Sequence, residues 1–438
     1  MDQKQKKLII ILSIVAGVLL VIAIALALML PSSPSTPESV ELTYWGFWED
    51  EDTMHPILEK YEAENPGIKI KYSLQPLRNY ESRVYTRLTQ SLETDEPVAD
   101  IVMIHNSWLP KFESYLSPLP STIMDKETYS KEFYPTAIDD FTGRDEQLYA
   151  IPMQIDGLMV IYNKKLLAQA GYSTPPTDWD SFMEAAYLLT KRDATEKISQ
   201  SGLAIGTARN ITHATDILSY FFLQNKAEIM NEERNAVNLT SERAVIAFDT
   251  YTSFASSEQA TWAAYLPNDV TLFQRGELAM MFGTTWRALD IIASGVEIEF
   301  GLAPMPILPT NEQVYYSTYW AHAVSKTSQN SDEAWKFLKF LSEPEQQRRI
   351  HQNSAKTRTF GEPYSRVSMN EELKSEDYTT TIALMAPYMK SWQMGEQEYV
   401  DEVLREAITE VAENKRNISS ILRETEEQIN ERLAISNK

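Results

Sequence analysis

The sequence predicts an α/β protein with two lobes, and three observations lead to this fold class. Residues Val40 to Trp45 alternate apolar and polar side chains as a half-buried strand does, and Asn65-Pro66-Gly67 ends the helical segment that follows. Ile68 to Tyr72 then reads as the next strand. Gly157 to Tyr162 begins a second set, in which a strand precedes two helices. A chain of 438 residues is large enough for two or more lobes, each with its own hydrophobic core.

Another strand is predicted from Ala99 to Ile104, after a helix from about Tyr80 to Leu92. In α/β lobes, ligands bind beyond the carboxyl ends of the strands. The loop from His105 to Trp108 is therefore predicted to face a ligand cleft. Further helices are predicted near residues 217–223, 244–254 and 399–433.

The composition excludes several classes of partner and chemistry. The chain has 40 basic and 62 acidic residues, a net charge of −22, so nucleic acid and anionic lipid headgroups are not expected partners. The same charge disfavours a polyanionic ligand unless a local arginine cluster overrides it. Cysteine is absent, which excludes disulfides, thiolate metal sites, thiol catalysis and a lipidated N-terminal cysteine.

The N-terminal segment predicts attachment to the cell membrane. Lys4, Lys6 and Lys7 precede an uncharged apolar run from Leu8 to Leu30 that is long enough to cross a bilayer with the N-terminus inside. The alternative is a cleaved signal peptide, because Ala25-Leu26-Ala27 is a small-x-small site. The prediction is a single-pass anchor, with a Pro/Ser linker up to residue 37 and an extracytoplasmic globular domain.

Searches for catalytic and metal-binding motifs find none. The sequence has no nucleophile elbow, zinc-protease, P-loop or dinucleotide-binding motif, and its five histidines lack metal-ligand spacing. With 62 acidic residues, some pair of carboxylates that could hydrolyse a glycoside is inevitable and carries little weight. No catalytic residue, metal site or cofactor is predicted.

A run of motifs between Gln147 and Lys191 resembles the extracellular solute-binding proteins of ABC importers, in the maltose-binding-protein-like family 1. A second match lies around the segment Phe273 to Gly283 followed by Trp286, and a third around Glu333 to Leu341. Within the first stretch, the matching residues are Tyr149, Pro152, Tyr162-Asn163-Lys164, Leu167, Ala170-Gly171, Pro175-Pro176, Trp179-Asp180, Phe182 and Leu189-Thr190.

The resemblance implies a two-lobed, periplasmic-binding-protein-like fold of type II with a hinge. It also implies a monomer that delivers its ligand to the permease subunits of an ABC transporter. The predicted boundaries place residues 38–154 with 319–365 in lobe 1, and residues 155–318 with 366–438 in lobe 2.

The supply of aromatic residues, with 9 tryptophans and 22 tyrosines, favours a carbohydrate ligand. Flat rings cover the apolar face of a sugar, while carboxylates, amides and arginines bond its hydroxyls. The resemblance carries ligand contacts most firmly to Asp156, Trp286 and Trp392, although core packing is the alternative for any one tryptophan. The predicted ligand-binding residues are Trp45, Trp48, Glu49, Asp50, Asn106, Trp108, Asp156, Trp286, Tyr319, Trp320, Arg358 and Trp392.

The predicted function is capture of a sugar, expected to be an oligosaccharide, between the two lobes for import. Two alternatives remain open at this point. One is an anchored surface hydrolase that acts on glycans. The other is a sensor subunit that reports ligand occupancy to a membrane receptor.

Overall fold

The computed structural model describes residues 2–29, 39–94, 98–308 and 312–436. The helices are α1 (Gln3–Met29), α2 (Glu51–Glu64), α3 (Tyr80–Thr94), α4 (Leu109–Phe112), α5 (Lys126–Glu132), α6 (Pro135–Phe141), α7 (Lys164–Gln169), α8 (Trp179–Leu189), α9 (Ala214–Gln224), α10 (Glu242–Ser256), α11 (Asp269–Gln274), α12 (Thr285–Ala293), α13 (Ser331–Ser342), α14 (Pro344–Ser354), α15 (Asn370–Leu373), α16 (Thr380–Met385), α17 (Gln397–Ala412) and α18 (Ile418–Ser436). The strands are β1 (Val40–Gly46), β2 (Ile68–Leu74), β3 (Ile101–His105), β4 (Leu116–Ser117), β5 (Ile151–Pro152), β6 (Met159–Asn163), β7 (Lys191–Arg192), β8 (Ile198–Leu203), β9 (Leu278–Gly283), β10 (Phe300–Ala303), β11 (Tyr315–Tyr316), β12 (Trp320–Ser325) and β13 (Met389–Lys390).

The first lobe is built on a sheet with the strand order β2-β1-β3-β12-β4, and β5 also pairs with β12. Strands β1, β2 and β3 are parallel, whereas β12 runs antiparallel to β3. Because every residue of β3 is buried, helices must cover both faces of the sheet. The carboxyl ends of β1 and β3 lie at one edge, and the loops that follow them carry five of the twelve predicted site residues.

The second lobe is built on a sheet with the strand order β10-β6-β9-β8-β7. Its central strands β6 and β9 are antiparallel and fully buried. Strand β9 leads into α12, so Trp286 stands in the first turn of a helix directly after a buried strand. This is the arrangement that the sequence motif predicts.

Crossing segments join the two sheets at a shared hinge. Gly157 bridges to Ser317, and β11 pairs with β13 just beside this bridge. A β-carbon at Gly157 would lie 2.4 Å from the carbonyl oxygen of Tyr316. Only glycine allows the two crossing segments to approach this closely, because it has no β-carbon.

The C-terminal helices contact both lobes. Helix α17 packs against α9 and α10 of the second lobe, and α18 packs against α17. At its other end, the Gln397 side chain of α17 accepts a hydrogen bond of 2.9 Å from Trp108 Nε1 in the first lobe. The region from about Tyr399 to Leu433, predicted to be mostly helix, forms two helices with a break between Ala412 and Ile418.

A buried ion pair fastens this C-terminal region to the first lobe. Lys111 Nζ lies 2.9 Å from Glu81 Oε1 and 3.6 Å from Glu396 Oε2, and all three side chains are less than 10 % exposed. Burial raises the pKa of Glu81, while Lys111 opposes that rise. An unpaired charge at this depth would be costly, so each member of the cluster depends on the others.

The variant Lys111→Ala is expected to lower the free energy of unfolding by about 3–5 kcal/mol, because it leaves the buried Glu81 without a cation, while Glu396 keeps its ion pair of 2.8 Å with Arg432. Urea denaturation followed by circular dichroism measures this loss. The matched control is Lys131→Ala, which removes the exposed ion pair between Lys131 and Glu127 and should cost little. Equal losses in the two variants would contradict the prediction.

Two predictions from the sequence, the N-terminal membrane anchor and the domain boundaries, compare differently with the structure. Within the residues that the structure describes, no helix combines the length and the hydropathy that a membrane crossing requires. The membrane-spanning helix predicted from Leu8 to Leu30 is thus not supported, and the linker from Pro31 lies outside the described residues. The predicted boundaries of the two lobes stay a prediction.

Candidate functional site

Two tryptophans from opposite lobes meet across the cleft. The ring centroids of Trp48 and Trp286 lie 4.3 Å apart, with an angle of 30° between the ring planes. Both side chains are half-buried. Trp48 follows β1 and has a φ of 76°, a left-handed conformation that bulky residues rarely adopt. Such strained residues cluster at ligand-binding sites, which singles out Trp48 as a functional candidate.

The loop that carries Trp48 is held by local contacts at the end of β1. A β-carbon at Gly46 would lie 2.6 Å from the Tyr72 ring, so glycine is needed for that ring to pack there. The Tyr72 hydroxyl then donates a hydrogen bond of 2.6 Å to the carbonyl oxygen of Glu49. This contact fixes the backbone directly after Trp48.

Arg358 connects the charged groups around the tryptophan pair. Its guanidinium donates hydrogen bonds of 2.9 Å to Glu49 Oε1 and 3.1 Å to Glu362 Oε1. The guanidinium carbon also lies 4.7 Å from the centroid of the Trp286 ring, a cation–π contact. We call Trp48, Glu49, Trp286, Arg358 and Glu362 the cleft cluster. It offers flat rings, carboxylates and an arginine in one place.

Burial raises the pKa of Glu362 to about 8, and the nearby Glu49 and Asp156 add to this effect. Arg358 opposes the rise. The indole N–H of Trp286 lies near enough to favour the ionised carboxyl, without the geometry of a full hydrogen bond. Burial therefore favours the protonated form of the Glu362 carboxyl in the arrangement of the lobes that the structure shows.

Asp156 lies beneath Trp286 and supports it. Its carboxylate accepts hydrogen bonds from the Thr285 backbone N–H at 3.2 Å, from the Thr285 hydroxyl at 2.7 Å and from the Gly157 N–H at 2.8 Å. Burial raises its pKa to about 6. Because Thr285 begins α12, Asp156 fixes the first turn of the helix that presents Trp286.

Asn106 and Tyr319 belong to a buried network inside the first lobe. The Tyr319 hydroxyl donates a hydrogen bond of 2.7 Å to Asp140, and the Asn106 amide donates one of 3.1 Å to the same carboxylate oxygen. Burial raises the pKa of Asp140 to about 6. Because the side chains of Asn106 and Tyr319 both bond Asp140, the network fixes the position of the loop after β3.

Trp108 and Trp320 form an aromatic wall behind the cleft cluster. Their centroids lie 4.9 Å apart in an edge-to-face arrangement, and Phe47 packs on Trp320 at 4.4 Å. Phe47 also contacts the Trp48 ring at 5.4 Å. The wall thus supports Trp48 from the first lobe.

The remaining predicted residues lie elsewhere. Asp50 accepts a hydrogen bond of 2.7 Å from the Thr53 backbone N–H and caps α2. Trp392 is buried, and its indole N–H donates a hydrogen bond of 3.0 Å to Ser219. Trp45 lines a groove beside α3, away from Trp48. The structure therefore brings together Trp48, Glu49, Trp286 and Arg358, and the ligand-binding role of all twelve residues stays a prediction.

Glu362 and Ser354 are site residues that the sequence-based prediction missed. Ser354 donates a hydrogen bond of 2.5 Å to Glu49 Oε2, which completes the network around that carboxylate. Neither residue belongs to a motif that marks a binding site. Glu362 lies only four residues after Arg358, which the sequence-based prediction did include.

The profile of the bacterial extracellular solute-binding proteins matches residues 48–348, more than half of the chain. The protein therefore belongs to this family, and the resemblance found in the sequence is confirmed. Among known relatives, a binding protein of Brucella abortus (strain 2308) is 26 % identical over 310 residues, which cover 68 % of this chain and 70 % of the relative. The maltotriose-binding protein of Pyrococcus abyssi is 22 % identical over 393 residues, which cover 85 % of this chain and 78 % of the relative.

Solved structures share the fold at low sequence identity. The sugar-binding protein MalE of Xanthomonas citri has a TM-score of 0.73 and 19 % identity, with 90 % of this chain and 98 % of that chain covered. A substrate-binding protein of Listeria monocytogenes in complex with cycloalternan has a TM-score of 0.70 and 19 % identity, with 90 % and 99 % covered. The two-lobed α/β fold predicted from the sequence is confirmed.

Proposed function

We propose that this protein captures a carbohydrate, expected to be an oligosaccharide, between its two lobes and delivers it to an ABC importer. The observation that carries the proposal is the pairing of Trp48 with Trp286 across the cleft. Relatives support the choice of ligand, because one binds maltotriose and another, from Streptomyces coelicolor, binds diacetylchitobiose. A similar structure was solved with maltotetraose.

The cleft cluster suits a ring that has apolar faces and hydroxyl edges. The indole faces of Trp48 and Trp286 would cover the apolar faces of a sugar, while Arg358 and Glu49 bond its hydroxyls. A sugar that enters this site must separate the two indoles, which now contact each other directly. Binding then favours closure of the lobes around the ligand, since only the closed form provides contacts from both sides.

The proposal is for binding without catalysis. A glycoside hydrolase needs one acid to donate a proton and another carboxylate to act as base or nucleophile. In the cleft cluster, Glu49 and Glu362 are both bonded to the same guanidinium of Arg358. The choice of binding over hydrolysis is supported by the family and by relatives that are binding proteins.

A titration of the purified chain with a panel of neutral oligosaccharides tests the proposal. We expect a change in tryptophan fluorescence and measurable heat with at least one maltooligosaccharide or chitooligosaccharide, because the indoles of the cleft cluster would separate. Chromatography of the same mixtures should show the sugar unchanged. Absence of any signal across the panel would refute sugar binding, and release of shorter sugars would favour the hydrolase.

Attachment to the cell membrane and contact with permease subunits are also part of this proposal. Attachment rests on the apolar run from Leu8 to Leu30 in the sequence alone. Fractionation of cells that express the full chain or a chain without residues 1–37 tests it. Only the full chain should sediment with membranes, and recovery of both chains in the soluble fraction would refute the anchor.

A further inference from the structure

A basic groove lies along α3 on the surface of the first lobe. Arg78, Arg83 and Arg87 line it together with Pro76, and it encloses about 640 Å³. A second groove of about 580 Å³ adjoins the first at Arg87 and is lined by Trp45 and Gln90. We call the two together the α3 groove. Three arginines within ten residues contrast with the net charge of −22 of the whole chain.

The arginines of the groove differ in whether their guanidinium groups already form hydrogen bonds with the protein. Arg83 donates hydrogen bonds of 2.6 Å to the carbonyl oxygen of Pro76 and 3.0 Å to that of Arg78, and it stacks on Tyr80 at 5.6 Å. It therefore shapes the turn before α3. Arg78 and Arg87 are exposed, and no acceptor bonds their guanidinium groups within the described part of the chain. These two groups are available to a ligand.

The local charge, and not the net charge, decides what this surface attracts. At physiological salt the Debye length is about 8 Å, so acidic residues on distant surfaces are largely screened. Lys71, whose backbone pairs with that of Thr43, shares the sheet face of Trp45 and adds a further positive charge. Of the described residues that line the groove, Glu93 is the acidic one. A second carboxylate, that of Glu398, approaches the groove from α17 and accepts a hydrogen bond of 3.3 Å from Ser82.

We infer that the α3 groove binds a carboxylated saccharide, such as an oligomer of uronic acid. Arginine bonds a carboxylate through two parallel N–H groups, and Arg78 and Arg87 can each provide such a pair. Trp45 is partly buried and lines the groove, so its indole can contact a sugar ring, and Gln90 can bond the hydroxyls of that ring. An acidic peptide would use the arginines but would gain little from the indole. This site lies outside the cleft cluster and is independent of it.

The test uses tetragalacturonate as the probe and maltotetraose as its neutral counterpart, titrated into the full chain by calorimetry. We expect tetragalacturonate to bind, and its affinity to fall as sodium chloride rises from about 50 to 500 mM. The double variant Arg78→Glu and Arg87→Glu should weaken this binding by about tenfold or more, since it replaces two cations with anions. Binding of neutral sugar in the cleft should not change in this variant, so the two sites can be told apart.

The matched control is the double variant Lys164→Glu and Lys165→Glu on α7 of the second lobe, where both lysines are exposed. It changes the net charge by the same amount without touching the groove, and it should keep the wild-type affinity for tetragalacturonate. Equal weakening in both double variants would overturn the inference, because a general effect of net charge would then explain it. The inference also fails if the wild-type chain does not bind the probe, or if tetraglutamate binds as tightly.

Discussion

The variant Trp286→Ala is expected to bind the neutral oligosaccharide with an affinity that is lower by about 30-fold or more. A loss of this size is typical when a residue that dominates a binding interface is truncated. The indole would contact the sugar from the second lobe, and its loss also removes the partner of Trp48 and the ring beneath Arg358. Isothermal titration calorimetry measures the change in affinity. Circular dichroism and thermal unfolding should show that the variant is folded, because Trp286 is only half-buried.

The matched control for this variant is Trp335→Phe. Trp335 is fully buried in α13 of the first lobe, so this substitution also removes one indole but leaves the cleft cluster intact. The control should bind with the wild-type affinity. If Trp286→Ala bound the sugar as tightly as this control does, then the cleft cluster could not be the sugar site.

Sugar affinity is expected to fall as the pH rises from about 5 to 8, and Glu362 is the group responsible. In the structure, burial between the lobes raises its pKa to about 8, against a usual value of 4.5. When the lobes open, water reaches the carboxyl and its pKa returns toward the usual value. The closed form therefore holds one more proton between these two pH values. Its stability is fully present below the lower value and is lost as the pH rises through the upper one.

The other charged groups around Glu362 set the shape of this pH dependence. Arg358 and Glu49 face it in the cleft cluster, and Asp156 approaches it from the hinge. His351 contacts the carbonyl oxygen of Glu362 through Nδ1, at 2.8 Å. Ionisation of Asp156 also lowers the sugar affinity as the pH rises, but it does so at lower pH, because the pKa of Asp156 is raised from 3.8 to about 6. The fall in affinity above pH 6 is therefore assigned to Glu362.

The variant Glu362→Gln tests this assignment, because glutamine resembles the protonated acid and does not titrate. Fluorescence titrations at several pH values should show a nearly constant affinity above about pH 6 in this variant. The exposed Glu371 provides the control, and Glu371→Gln should keep the wild-type profile. An unchanged pH profile in Glu362→Gln would contradict the role of this carboxyl.

Much of the local structure could be predicted from the sequence, because it depends on neighbouring residues. The predicted strand from Val40 to Trp45 is β1, and the predicted helix from Tyr80 to Leu92 is α3 with two further residues. The periodicity of apolar residues determines these elements. The position of Trp286 in the first turn of a helix followed from its own motif.

The placement of the site residues could be predicted only in part. Trp45 and Trp48 are three residues apart, yet one lines the outer groove and the other meets Trp286. They diverge because Trp45 lies within the regular strand β1, whereas Trp48 follows that strand and has a positive φ. Sequence patterns did not indicate this turn, since a bulky residue is seldom found in that conformation.

The sequence by itself determined the α/β fold, the family and the approximate extent of elements such as β1 and α3. Only the tertiary structure decided which of the candidate residues lie together. Glu49 and Arg358 are 309 positions apart, and Asp156 and Thr285 are 129 positions apart. Contacts of this kind form when the two lobes and the hinge assemble, so no periodicity or spacing within a short segment records them. The same assembly buries Glu362 beside Arg358, and this burial gives the carboxyl its raised pKa.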